Sequence, residues 1–206
     1  MLLDGRLFGS GRLAVVLAHM GRAGDSQADW EGLARKLARR GYLVLTYNRR
    51  GVCPRGGAGC STGVDEYAES WRDIVGAVAF VRSRHARRIV VAGASIGAMA
   101  ALYAAAHAQV EPDGLIEFAG INHASGYDFT QREIRRIRGR KLFLSARADI
   151  YGGADSAREW YGWAAGPKRL LLVPGSDHGT DLLQSRNPQR RRIESAITAF
   201  VAQAER

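Results

Sequence analysis

The sequence predicts an α/β fold, a doubly wound and mostly parallel sheet flanked by helices. Two observations carry that prediction. Apolar runs of strand length alternate with amphipathic segments of helix length from end to end, the order that builds successive strand–helix units. The apolar runs also lack an alternating polar face, so each reads as a strand covered on both sides, as parallel sheets require. The 206 residues, 46% hydrophobic and 24% charged, suit one domain over residues 1–206 with a substantial core.

The elements follow in order. Leu13 to Ala18 is a buried strand running into His19-Met20-Gly21. Asp29 to Arg40 reads as a helix, because Trp30, Leu33, Ala34 and Leu37 fall on one face, and Gly41 stops it. Tyr42 to Tyr47 is the next strand, followed by a glycine-rich loop from Asn48 to Gly63. Asp65 to Arg84 is expected as one long helix. Arg88 to Ala92 is a strand, and alanine-rich Ile96 to Ala108 a helix. Strands are expected at Leu115 to Ala119, Lys141 to Ala146 and Arg169 to Val173, with a helix over Gly153 to Ala165. Asn187-Pro188 then opens a last helix to about Ala204, with proline in its first turn.

Composition narrows the function. The formal net charge is +10, and 27 of the 30 basic residues are arginines scattered along the chain. The densest runs, Arg132 to Arg140 and Arg190 to Arg192, lack interleaved aromatics or a binding module, which argues against nucleic acid as a partner. No apolar run reaches the length of a membrane span, and Met1 to Arg6 does not resemble a secretory signal. The expected location is therefore cytoplasmic. Cys53 and Cys60 are expected as unpaired loop thiols, although a local bridge is sterically open.

The chemistry centres on Gly93-Ala94-Ser95-Ile96-Gly97, set between a strand and a helix. A sharp turn there lifts the serine clear of the sheet, and its neighbours must be small. The following helix aims its amino end at the serine, favouring negative charge. A phosphate-binding loop is the competing reading, but the lysine of a P-loop and the spacing of a dinucleotide turn are both missing. A serine nucleophile needs a base. His178, in Pro174-Gly175-Ser176-Asp177-His178-Gly179, follows the final strand at the same sheet edge. Asp149, after the strand ending at Ala146, is the first choice to orient it, and Asp155 the second. The amides of Ile96 and Met20 are the candidate oxyanion donors.

These motifs resemble the α/β-hydrolase family. Leu17-Ala18-His19-Met20-Gly21 with Asp25 and Trp30 is similar to its first strand–loop–helix unit, and Gly41 to Gly51 to its next strand and loop. The serine turn, Asp149 and His178 stand in the family's order. The resemblance spans nearly the whole chain and is nearest to small esterases, or dienelactone-hydrolase-like members, with minimal or no cap. Dienelactone hydrolases carry a cysteine nucleophile where this turn has Ser95. Met20 replaces the usual glycine and is expected to bring a longer side chain near the pocket. Asn48 replaces a common aspartate, with a structural effect expected. The opening antiparallel strands are expected to shrink to one hairpin or less.

The implied activity is hydrolysis of a small-molecule carboxylic ester or related acyl compound through an acyl-enzyme, with no metal or organic cofactor. Thioesterase, amidase and acyltransferase share this machinery, and a non-catalytic binding protein on the same fold is the alternative. The segment between Ala119 and Thr130 is too short for a cap domain. An open, shallow site follows, with His19, Asn122, His123, Ile150 and Tyr151 as candidate lining.

Overall fold

The computed structural model describes residues 1–54 and 59–205. Four positions of the expected glycine-rich loop, 55–58, thus lie outside the described residues. Among the described residues one seven-stranded sheet has the order β1-β3-β2-β4-β5-β6-β7. The strands are β1 (Gly5–Phe8), β2 (Leu13–Ala18), β3 (Leu43–Tyr47), β4 (Arg88–Ala94), β5 (Gly114–Phe118), β6 (Arg140–Ala146) and β7 (Lys168–Val173). All neighbours pair in parallel except β1, which lies antiparallel to β3. The opening antiparallel part, expected as one hairpin or less, is a single strand that skips its sequence neighbour β2 and covers the far edge of β3.

Both faces of the sheet are covered, which explains the uninterrupted apolar runs. In β2, Ala14, Val16 and Ala18 face one core layer, while Leu13, Val15 and Leu17 face the other. The first layer packs under α2 (Trp71–Ser83), α3 (Ile96–Ala106), α4 (Gln131–Arg136) and α5 (Gly153–Trp163), through Ile74, Met99, Ile134 and Trp160. The second packs under α1 (Glu31–Ala38) and α6 (Arg190–Ala204), through Leu37, Ile193 and Phe200. This is the doubly wound arrangement. Among the described residues no helix is long and apolar enough to cross a membrane.

Four local expectations are corrected. The first expected helix is divided: Gln27–Trp30 is a 3-10 turn, capped by the Ser26 hydroxyl on the Ala28 amide, and α1 starts only at Glu31. The long helix expected from Asp65 is also divided, into a 3-10 turn at Tyr67–Glu69 and α2. There the Ser70 hydroxyl donates to the Tyr67 carbonyl at 2.7 Å, a side-chain bond that competes with helix propagation. The last helix starts at Arg190, because the Asn187 side chain accepts the Gln189 amide at 2.8 Å and closes a turn ahead of it. Finally, Cys53 and Cys60 are joined by a disulfide. The loop doubles back on itself, with the Ser61 amide on the Val52 carbonyl at 3.0 Å, and this brings the two thiols together. Asn48 anchors the loop, accepting the Gln27 amide and donating to the Gly59 carbonyl.

Candidate active site

The carboxyl ends of the parallel strands lie along one edge, where sites form in open α/β sheets. Register puts Ala18 beside Gly93, Ala94 beside Phe118, Phe118 beside Leu144 and Ala146 beside Val173. The loops that leave these strands carry the residues singled out in the sequence.

Ser95 occupies the turn between β4 and α3 at φ 52° and ψ −118°, a strained conformation for a residue with a side chain. Its amide donates to the Phe118 carbonyl at 2.9 Å, and its carbonyl accepts the Ala98 and Met99 amides that start α3. The turn closes only because its flanks are glycines. A β-carbon on Gly93 would overlap the Gly97 carbonyl and stand 2.5 Å from the Ala98 nitrogen. One on Gly97 would stand 2.8 Å from the His19 carbonyl oxygen.

Asp149 and His178 are brought together on the loops after β6 and β7. The His178 Nδ1 lies 3.0 and 2.9 Å from the two carboxylate oxygens of Asp149. A carboxylate only accepts, so Nδ1 carries the proton, and in the neutral ring Nε2 has the lone pair. Asp149 is itself fixed by the Tyr151 amide at 2.9 Å and the Ser145 hydroxyl at 3.2 Å. Asp155, the second choice, pairs instead with Arg158 on the exposed side of α5 at 2.7 Å. The turn bearing His178 packs beside the serine: a β-carbon on Gly179 would lie 3.5 Å from the Ala94 β-carbon. Among the described residues no hydrogen bond links Ser95 Oγ to His178 Nε2; the side-chain partner of His178 is Asp149.

The loop after β2 also reaches this place. A β-carbon on Gly21 would be 3.1 Å from the Ile96 Cγ2, so Met20 and Ile96 belong to adjoining segments. Ile96 opens α3, where the first amides have no acceptor within the helix. The Met20 side chain, expected near the pocket, is buried instead. Its sulfur accepts the Thr180 amide at 3.3 Å, and it packs beneath Gly179.

Of the expected lining residues, Ile150 and Tyr151 are exposed, and the Tyr151 ring stands edge-on to His178 with centroids 4.7 Å apart. His123 is exposed too, and its Nδ1 meets Asp128 at 2.6 Å. His19 and Asn122 are buried and serve the scaffold. The His19 ring bridges the Met20 carbonyl and the Arg49 amide, at 2.6 and 3.0 Å. Burial, with Arg49 adding to it, lowers its pKa to about 3, so it stays neutral. The Asn122 carboxamide oxygen accepts the His123 and Phe129 amides, tying down the loop after β5.

A cleft of about 430 Å³ opens between the loops after β2 and β3, lined by Arg22, Asp25, Arg49, Asp65 and Tyr67 among others. Asp25 and Arg49 fall in segments that carry the family resemblance, whereas Arg22, Asp65 and Tyr67 were marked by no motif. Ser145, four residues before Asp149, left a fainter signal: a hydroxyl in an apolar strand. Among the described residues no group of three His, Cys, Asp or Glu is placed to hold a metal ion.

A family model for the alpha/beta hydrolase family matches residues 15–199. The chain belongs to that family. A sequence search of curated proteins finds no match. Solved structures of other proteins superpose on nearly its whole length. The monoacylglycerol lipase of Paleococcus ferrophilus does so with TM-score 0.78 at 13% identity, covering 99% of this chain and 100% of its own. A thermophilic esterase from Thermogutta terrifontis gives 0.74 at 13% identity, covering 99% and 94%. The enol-lactonase from Burkholderia xenovorans LB400 gives 0.73 at 15% identity, covering 97% and 96%. At these identities the likeness is one of fold.

Proposed function

We propose that this alpha/beta hydrolase is a serine hydrolase that cleaves carboxylic esters through an acyl-enzyme. The observation that carries the reading is the His178–Asp149 pair, held at 2.9 Å beside a strained Ser95 turn. In the proposed reaction Ser95 Oγ attacks the ester carbonyl as His178 Nε2 takes its proton. The tetrahedral oxyanion rests on the Ile96 and Met20 amides. Collapse breaks the carbon–oxygen bond, and His178 returns the proton to the leaving alcohol. Water, activated by the same imidazole, then releases the acid and restores Ser95. Asp149 keeps Nδ1 protonated throughout. An ester substrate agrees with the lipase, esterase and lactonase names of the structural neighbours.

The test uses p-nitrophenyl acetate with the wild type and Ser95→Ala. The variant should lose at least about a thousandfold in kcat/KM. A fluorophosphonate probe should label the wild type at Ser95. Hydrolysis equal in both proteins, or folded wild type that takes no label, overturns the assignment, and the second result points to a binding protein.

A further inference from the structure

The proposed oxyanion amide and the proposed base lie on opposite parts of the chain. Met20 follows β2 and His178 follows β7, and in the sheet three strands, β4, β5 and β6, stand between them. No strand pairing can set their spacing. The contacts that do so cross the top of the sheet, and one of them is an ion pair joining residues 159 positions apart.

Arg22, two residues after Met20, places Nη1 and Nη2 on the two carboxylate oxygens of Asp181 at 2.6 and 3.0 Å. Such two-point guanidinium–carboxylate pairs hold direction as well as distance. The guanidinium is aimed from its own side by Asp25, which accepts Nε and Nη2 at 3.3 Å each and the Arg22 amide at 2.8 Å. At the other end the Asp181 amide donates to the His178 carbonyl at 3.1 Å, closing the 3-10 turn Gly179–Leu183 directly onto the base. Beside this pair the Met20 sulfur accepts the Thr180 amide, and the Met20 Cγ would lie 3.1 Å from a β-carbon at Gly179, which sits at φ 49°. The two loops thus touch through one ionic and one packed contact, each a step or two from a proposed reacting group.

We infer that Arg22 and Asp181 are positioning residues that lock the oxyanion loop to the base-bearing turn, so that the Met20 amide and His178 keep one spacing through the reaction. The inference rests on the acyl-transfer reading above. The electrostatics agree with it. Its hydrogen bonds to Asp181 and Asp25 raise the Arg22 pKa well beyond its ordinary value. Asp29 stands close by, its carboxyl pushed up by burial and by the charges of Asp25 and Asp181. Without Arg22 these carboxylates would repel, leaving the packed Met20 contact to hold the two loops against that repulsion. The pair is partly open to solvent, with the Arg22 side chain 42% and the Asp181 side chain 17% exposed, so its loss should loosen the loops without unfolding the core.

The experiment compares wild type, Arg22→Ala, Asp181→Asn, the double variant, Arg22→Lys and the reversed pair Arg22→Asp/Asp181→Arg on p-nitrophenyl acetate, with thermal unfolding alongside. Either single change should lower kcat about tenfold and leave KM within about twofold, the signature of lost orientation. The double variant should be no slower than either single one, because both break the same link. The reversed pair should recover activity. Arg22→Lys should recover only part, since an ammonium cannot grip both oxygens. If Arg22→Ala also lowers the unfolding midpoint, the isosteric Asp181→Asn decides. An unchanged kcat in Asp181→Asn, or losses that add in the double variant, overturns the lock while Ser95-dependent hydrolysis stands. Hydrolysis indifferent to Ser95→Ala overturns the acyl-transfer reading first.

Discussion

At Ser95 the backbone is held in a conformation that only surrounding structure can maintain, and Gly93 is part of what maintains it. A methyl group at Gly93 would meet the Gly97 carbonyl and the Ala98 nitrogen, both main-chain atoms at the start of α3 with nowhere to move. Gly93→Ala is therefore expected to cost more than about 2 kcal/mol, read as a lowered midpoint in chemical denaturation. A variant as stable as the wild type would mean that the turn has slack it does not show. Ser95, Asp149 and His178 could be marked from sequence because the roles proposed for them follow from chain order around strands and a turn. His19 and Asn122 could not be sorted in the same way. The residue type allows both a pocket and a scaffold role, and only the partners, the Arg49 amide for one and the Phe129 amide for the other, decide.

The inner strands were legible because burial on both faces leaves an uninterrupted apolar run, whereas the mostly exposed β1 was not singled out. Helix ends were less so. At Ser26, Ser70 and Asn187 a short polar side chain bonds to nearby main chain and moves the start of the helix by several residues. Composition gives little warning of such local competition. The loop after β3 shows the same limit, since two cysteines seven positions apart can stay apart or join according to how the chain turns between them. The bridge lies at the cleft, where Cys53 and Pro54 form part of the wall. Closing so small a ring should stabilise the folded protein by about 2 kcal/mol through the entropy of the open chain. Cys53→Ser/Cys60→Ser should therefore unfold at a lower temperature. Adding a reductant should shift the wild type toward the variant and leave the variant where it is. A variant midpoint equal to that of the oxidised wild type would show that the loop holds its shape without the bond.

Stability of the whole molecule should depend on pH through two buried groups with opposite signs. His19 is shifted down to about 3 in the folded state, against about 6.5 in an unfolded chain. Between those values the unfolded chain binds more protons, so His19 costs stability as pH falls through this range. Glu117, buried in β5, accepts the Gly120 amide with Oε1, while Oε2 has no partner among the described residues. Burial, reinforced by the charge of Asp149, raises its pKa well above the ordinary carboxylate value. The folded protein therefore holds a proton that the unfolded chain releases above about 4.3, and stability is lost as pH rises from there. Glu117→Gln keeps the shape and discards the titration. Its unfolding midpoint should gain on the wild type as pH climbs from about 4.5 to 7, whereas a constant difference over that range would show that Glu117 ionises in the fold at little cost.

The order of strands carries one more consequence, for the moment at which the protein is made. From β4 onward, sequence neighbours are also sheet neighbours, so each newly synthesised strand can dock on the exposed edge left by the one before. The groups proposed to react arrive in the same order: Ser95 with β4, Asp149 with β6, and His178 only after β7. A nascent chain that stops short of β7 lacks His178, so on the proposed reading the growing polypeptide stays chemically silent until that strand and the loop after it have been made.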